Sequence, residues 1–145
     1  MATLECSTKG DTRYSAVCAK INGISIENRY QLSKRFFHNG CIVHPSSFKE
    51  AKHWQYKNEY YLLDFVVDGV PYSLEYMSMY YKALWYVYLI KNPELITNAN
   101  KFDEFTDCYK KPNTLNCQAD IIELVVNKGI EELKRQCELF INLIR

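Results

Sequence analysis

The sequence lacks any apolar segment long enough to cross a membrane. Its longest apolar run, residues 83–90, is far shorter than the roughly 20 residues that a transmembrane helix requires. The amino terminus also lacks the basic region and the apolar run that together form a secretion signal. We therefore expect a cytoplasmic protein with no membrane partner.

Motifs that would bind a metal or a cofactor are also absent. The six cysteines include no Cys-x-x-Cys pair, and the three histidines are not placed at a spacing typical of zinc ligands. Neither a Walker motif nor a Gly-x-Gly-x-x-Gly motif occurs. The sequence predicts no metal site and no cofactor, and without a secretion signal it does not predict disulfides.

Charge is close to balanced, with 18 basic and 17 acidic side chains and a formal net charge of +1. A protein that coats nucleic acid would carry a large positive excess, so the bulk charge does not favour that class. The 145 residues and the 48% hydrophobic content are enough for one packed core. We expect a single domain that spans residues 1–145.

The order of the predicted elements favours an α+β fold that is predominantly helical, with a small antiparallel β-sheet. Short strands are expected near residues 13–21 and 60–72, the latter as a hairpin around the turn residues Asp68 and Gly69. Residues 74–91 carry few charges and predict a buried helix at the centre of the core. The strand–helix alternation that builds a doubly wound parallel sheet is not present.

Two further helices are predicted outside this core segment. Ser47 and Glu50 have the spacing of a capping box, which would start a short helix that ends near Trp54. The apolar residues of the segment 130–145 recur at helical spacing, so this segment is expected to pack as an amphipathic terminal helix.

A helix over residues 24–35 would place three polar side chains on one stripe. Ser25 is a suitable cap for its first turn. Glu27, Gln31 and Lys34 follow at i, i+4 and i+7, which at 3.6 residues per turn is a single face. Two interpretations fit this stripe. It is a chemical site, or it is an exposed face, as charged residues at helical spacing usually are.

Two loops could shape a pocket. Residues 5–12 are polar and turn-forming, and Lys9 together with the backbone at Gly10 could hold a phosphate. An ordinary surface turn is the alternative for this loop. Residues 100–115 form a loop long enough for a pocket rim. Asn116, which follows it, either caps the next helix or contacts a ligand.

One segment carries a family resemblance. An Asn-Gly turn followed by Glu-x-x-Tyr-Gln-x-x-Lys resembles the NADAR (NAD- and ADP-ribose-associated) family, which keeps the same spacing of seven residues from Glu to Lys. The matching residues here are Ser15, Ala16, Gly23, Glu27, Tyr30, Gln31, Lys34 and Phe36. Farther along, Met79 and Leu84 resemble the family's middle helix, and Asn92, Pro93 and Leu95 resemble its Asn-Pro-x-Leu continuation. Asp107, Tyr109 and Asn116 lie about where the family has its closing loop. The similarity extends over most of the chain and implies the family's α+β fold.

The activity that this resemblance implies is cleavage of an N-glycosidic bond to ribose, such as removal of ADP-ribose from a guanine base. Such cleavage creates a positively charged, oxocarbenium-like sugar, which the carboxylate of Glu27 would stabilise. Lys34, if it is desolvated, would attack the anomeric carbon or an opened aldehyde. Alternatively, Lys34 stays charged and binds phosphate. Asp107 or Asp120 would activate the water.

The resemblance also implies a set of contacts to an ADP-ribosylated base or a related small-molecule nucleotide. The diphosphate would be held by Lys9, Arg13 and Arg35. The remaining candidates for ligand binding are Tyr30, Gln31, Asn116 and Asp120.

Two hypotheses from other classes stay open. The family's Trp before the helix and the Trp-Gly pair of its closing loop have no counterpart here. Their absence favours a protein that binds a nucleotide signal without hydrolysing it, for instance in a phage that counters host defence. The other hypothesis is an interaction module whose polar stripe faces solvent, and neither ADP-ribose nor NAD would raise the melting temperature of such a module.

Overall fold

The computed structural model of the protein describes residues 2–110 and 117–145. Within these residues the chain forms eight short strands, which are β1 (Thr3–Glu5), β2 (Lys20–Ile21), β3 (Ile24–Ser25), β4 (Lys34–His38), β5 (Cys41–Val43), β6 (Tyr61–Val67), β7 (Val70–Tyr72) and β8 (Glu104–Thr106). The six α-helices of the same residues are α1 (Ile26–Leu32), α2 (Phe48–Gln55), α3 (Met77–Lys91), α4 (Glu94–Ala99), α5 (Gln118–Lys128) and α6 (Ile130–Ile141). None of these helices is both long enough and apolar enough to cross a membrane.

Most strand residues belong to antiparallel pairs. The largest sheet has four strands in the order β5-β4-β6-β7, and β2 and β3 form a separate hairpin through Asn22 and Gly23. The pair β1-β8 is parallel. The sequence does not predict this pair, because β8 lies within the loop expected over residues 100–115. The prediction of an α+β, predominantly helical fold with a small antiparallel sheet is confirmed.

The prediction of a strand over residues 13–21 is wrong. Thr12–Tyr14 forms a 3-10 turn, and the carboxylate of Asp11 accepts the backbone N–H of Arg13 at its start. Further turns follow, and only the last two residues of the range belong to β2. Tyr14 is buried through a contact far along the chain rather than through a sheet, because its hydroxyl donates a 2.6 Å hydrogen bond to the carbonyl of Leu95.

Helix α1 is shorter than the sequence predicts. The hydroxyl of Ser25 caps its first turn, as expected. The helix ends at Leu32, and β4 begins two residues later at Lys34. Lys34 therefore lies on a strand, so the prediction of one helical stripe that includes Lys34 is wrong.

The hairpin and the core helix are confirmed. Asp68 and Gly69 have φ values of 51° and 78°, the left-handed values that a two-residue hairpin turn favours. The edge strand β7 suits Pro71, which has no N–H to donate to a neighbouring strand. Helix α3 is buried along most of its length and packs on α6, where the ring centre of Phe140 lies 5.5 Å from that of Tyr80 on α3. Helices α2 and α6 match the two further helices predicted.

Gly10 lies in the loop after β1, where a Cβ atom would be 2.2 Å from the carbonyl oxygen of Glu5. We predict that Gly10→Ala lowers the free energy of unfolding by about 1–3 kcal/mol, because the backbone must move to relieve the overlap. Thermal denaturation measures this loss, with the exposed substitution Lys20→Ala as the control. An unchanged melting temperature in Gly10→Ala would contradict the close packing of this loop.

Candidate functional site

Glu27, Gln31 and Lys34 form a buried chain of hydrogen bonds. These residues are 9%, 6% and 3% exposed. The Gln31 amide lies between the two charged groups. Its Nε2 donates to Glu27 Oε1 at 2.8 Å, and its Oε1 accepts from Lys34 Nζ at 2.7 Å. The interpretation of these residues as a solvent-facing stripe is therefore wrong.

The end of α1 explains how residues from two elements meet. Glu27 and Gln31 are four residues apart on α1, so they lie on the same helical face. The chain then enters β4, where alternate side chains lie on opposite faces of the strand. Lys34 and Phe36 occupy the buried face, whereas Arg35 lies on the other. The side chain of Lys34, the first residue of β4, therefore contacts Gln31 on the preceding helix α1.

Helix α2 supplies two further side chains that the sequence interpretation missed. Gln55 Oε1 accepts a 2.6 Å hydrogen bond from Lys34 Nζ, and Lys52 Nζ lies 3.4 Å from Glu27 Oε1. Lys52 and Gln55 are three residues apart, so they share one helical face. That spacing is visible in the sequence, but nothing in the sequence places α2 beside α1.

Burial changes the chemistry of the Lys34 amine. Desolvation lowers the pKa of Lys34 to about 8, the Glu27 carboxylate opposes this shift, and the charge of Lys52 adds to it. The Lys34 Nζ atom lies 5.1 Å from the ring centre of Tyr30, which packs edge-on against Tyr81 of α3. Lys34 therefore loses its proton more readily than an exposed lysine does.

Asp107 belongs to a second cluster, around Gln118 at the start of α5. Gln118 Nε2 donates to Asp107 Oδ2 at 3.1 Å, and the buried thiol of Cys117 lies 3.8 Å from the same oxygen. Gln118 Oε1 accepts the N–H of Ala16 at 2.6 Å, and the Ala16 carbonyl accepts the N–H of Glu27 at 2.9 Å. Asp107 is thus linked to the backbone of Glu27 through Gln118 and Ala16.

The carboxylate of Glu5 lies beside Asp107 and Cys108, and one ligand atom from each of these three residues falls within 4.8 Å of the others. Burial opposes ionisation of Glu5, but hydrogen bonds from Ser7, Cys108 and Thr106 outweigh it and lower the pKa of Glu5 to about 2. Because both Glu5 oxygens already accept hydrogen bonds from these groups, the cluster braces β1 against the segment that follows β8.

The remaining ligand residues predicted from the sequence have partners elsewhere. Ion pairs join Arg13 to Asp11 at 2.6 Å, Arg35 to Asp64 at 2.7 Å and Asp120 to Lys110 at 3.0 Å. Lys9 Nζ lies 5.7 Å from the ring centre of Tyr109. In the described part of the chain, no hydrogen bond or ion pair joins these side chains to the buried chain of Glu27, Gln31 and Lys34. Asn116 lies outside the described residues.

A cleft of about 320 Å³ opens between α3, α5 and α6. Across it, Lys82 Nζ donates to Gln136 Oε1 at 3.0 Å, and Cys117 connects it to the Asp107 cluster. The full set of lining residues is Ser78, Lys82, Cys117, Asp120, Ile121, Leu124 and Gln136. None of the buried residues Glu27, Gln31 and Lys34 lines this cleft.

A match to a family model identifies the class of protein. A helix that carries Glu27, Tyr30 and Gln31 leads directly into a strand that opens with buried Lys34, which is the segment of the NADAR resemblance. The chain belongs to the NADAR family. Within it, residues 3–145 match the family model described as DarT1-associated NADAR antitoxin. No curated protein matches the chain.

Proposed function

We propose that this protein hydrolyses the N-glycosidic bond between ADP-ribose, or a related ribose nucleotide, and a base. The observation that carries the proposal is the buried chain from Glu27 through Gln31 to Lys34. Lysine and glutamate are rarely buried, and ionisable groups with displaced pKa values concentrate at functional sites. Membership in the NADAR family supports the same activity.

Glu27 would stabilise the positive charge that develops on the sugar as the bond to the base breaks. In a site shielded from water, a fixed carboxylate acts on a nearby cation more strongly than it would in bulk solvent. The hydrogen bond from Gln31 and the ion pair with Lys52 both fall on Oε1. Under this proposal, Oε2 is the carboxylate oxygen that would face the anomeric carbon.

Lys34 has two candidate roles, and its burial favours the nucleophilic one. With a pKa of about 8, roughly one amine in ten is neutral at pH 7. The neutral amine would attack the anomeric carbon, the bond to the base would break, and the base would leave with a proton. Water would then displace Lys34 from the sugar and complete the hydrolysis. In the other role, the protonated amine binds a phosphate.

Of the two carboxylates predicted to activate water, Asp107 is the better candidate. Its hydrogen bond to Gln118 connects it to the backbone that carries Glu27, whereas Asp120 is exposed and paired with Lys110. We therefore assign the base that activates water to Asp107 within this proposal.

The family description extends the proposal to a biological role. An antitoxin associated with DarT1 would counteract a toxin if it removed ADP-ribosyl groups that the toxin attaches to a base. The partner under this proposal is the ADP-ribosylated base, which is the molecule that the buried chain would act on.

Incubation of the protein with ADP-ribosylated guanosine tests the proposed activity. We expect equal amounts of guanosine and ADP-ribose to be released, because each base that leaves is followed by one water that releases the sugar from Lys34. Chromatography of the denatured reaction separates hydrolysis from binding, since a protein that only binds returns the ligand intact. Intact ligand, together with a ligand-dependent rise in melting temperature, would contradict hydrolysis and favour the nucleotide-binding hypothesis.

A further inference from the structure

Lys52 and Gln55 are the outer partners of the buried chain. The side chain of Lys52 is 49% exposed, and Gln55 is exposed as well. Each contacts one of the two buried charged groups, Lys52 at Glu27 and Gln55 at Lys34. On the side of α2, a ligand that approaches the buried chain therefore meets these two side chains first.

Glu27 holds Lys52 more loosely than it holds Gln31. The 3.4 Å separation between Lys52 Nζ and Glu27 Oε1 exceeds the roughly 2.7–2.9 Å of a charge-assisted hydrogen bond. Lys34, in contrast, makes hydrogen bonds of 2.7 Å and 2.6 Å and is buried. Of these two lysines, Lys52 is the one that can leave without breaking a short hydrogen bond.

We propose that Lys52 caps Glu27 while the site is empty, and that the diphosphate of a bound ligand draws Lys52 away to contact a phosphate. The Lys52 end of this ion pair is half-exposed and can be solvated by water, so exchanging Glu27 for another anionic partner costs Lys52 little free energy. The ammonium of a lysine sits on a flexible four-carbon stem, which allows it to change partner while α2 stays in place. This inference rests on the proposed function, because it requires a ligand with phosphates next to the ribose.

The exchange would make the site selective for ribose nucleotides over nucleosides. A ligand without phosphates leaves Lys52 on the carboxylate, which then remains neutralised by a nearby cation. A ligand with a diphosphate removes that cation and leaves the negative charge of Glu27 to act on the sugar. Lys52 would therefore contribute to affinity and would uncover Glu27 in the same step.

Titration calorimetry of the full chain with ADP-ribose, at two salt concentrations, tests this role. We expect Lys52→Met to weaken binding by about tenfold or more, because a charged contact to phosphate is lost. The affinity of this variant should also depend less on salt than that of the parent, since fewer charge pairs are screened. Lys52→Arg should restore binding to within about threefold of the parent, because it keeps the charge.

The matched control is Lys49→Met, which removes an exposed cation from the same helix one turn before Lys52. We expect its affinity and salt dependence to equal those of the parent. A melting curve for each variant shows whether it is folded before titration.

Three results would overturn the proposal. The first is equal affinity and equal salt dependence for the parent and Lys52→Met, and the second is a parent with no affinity for ADP-ribose. The third is tighter binding by Lys52→Met, which would show that Lys52 only blocks the site. If the parent binds ADP-ribose through Lys52 but does not cleave ADP-ribosylated guanosine, the proposed activity fails and the role of Lys52 stands. If the parent cleaves ADP-ribosylated guanosine but Lys52→Met binds ADP-ribose as the parent does, the proposed activity stands and the role of Lys52 fails.

Discussion

Lys34→Met is expected to lower the turnover of ADP-ribosylated guanosine by about 100- to 10,000-fold, the usual loss when a positioned catalytic group is removed. Methionine fills a similar volume but has no amine. Gln31 and Gln55 each lose a short hydrogen bond from Nζ, which we expect to lower the free energy of unfolding by about 1–3 kcal/mol. Steady-state turnover measures the first effect, and thermal denaturation measures the second and shows that the variant folds.

The pH dependence of the parent and the variant Lys34→Arg separate the two roles of this residue. Because the pKa of Lys34 is about 8, a neutral attacking amine predicts turnover that rises as pH increases through that value and then levels off. A protonated amine that binds phosphate predicts the opposite trend. Arginine keeps the positive charge and does not lose its proton, so full turnover in Lys34→Arg would contradict a nucleophilic amine.

Glu27→Gln is expected to lower turnover by about 100- to 1,000-fold, because it removes the charge that would stabilise the sugar cation. The glutamine keeps an oxygen that can accept the hydrogen bond from Gln31. It gives up an ion pair with half-exposed Lys52, so the free energy of unfolding should fall by about 1 kcal/mol or less. Turnover assays alongside Glu59→Gln, which removes an exposed carboxylate, measure the specific effect. Unchanged turnover in Glu27→Gln would exclude this carboxylate from the reaction.

Short-range signals explain the parts of the fold that the sequence predicts well. The Asp68-Gly69 pair specifies its turn because both residues tolerate a left-handed backbone, and the structure has that conformation at both. Ser25 predicts the start of α1 because its hydroxyl can satisfy an N–H of the first turn. The scarcity of charge over residues 74–91 predicts burial of α3, because a helix with few charged side chains can leave water at little cost in free energy.

Contacts between distant parts of the chain explain what the sequence does not predict. The helical spacing of Gln31 and Lys34 predicts that they lie close together, but through one continuous helix, and the end of α1 at Leu32 does not follow from the apolar pattern. Lys52 and Gln55 join the buried chain only because α2 packs on α1, and short sequence patterns carry no record of which helices pack together. The prediction that Asp107 acts together with Glu27 comes only from the family resemblance, because about eighty residues separate the two in the sequence.

The pairing of β1 with β8 has a consequence for how the chain is made. Thr3 and Glu104 face each other in this pair although they are 101 residues apart. During synthesis, the amino-terminal strand has no partner until the ribosome has released most of the chain, and closing so large a loop carries an entropic penalty. Asp107 follows β8 directly, so its surroundings are completed late, after the segment that carries Glu27 and Lys34 has emerged. An affinity tag on the amino terminus would lie beside this late-forming pair, so a carboxyl-terminal tag is the better choice for purification.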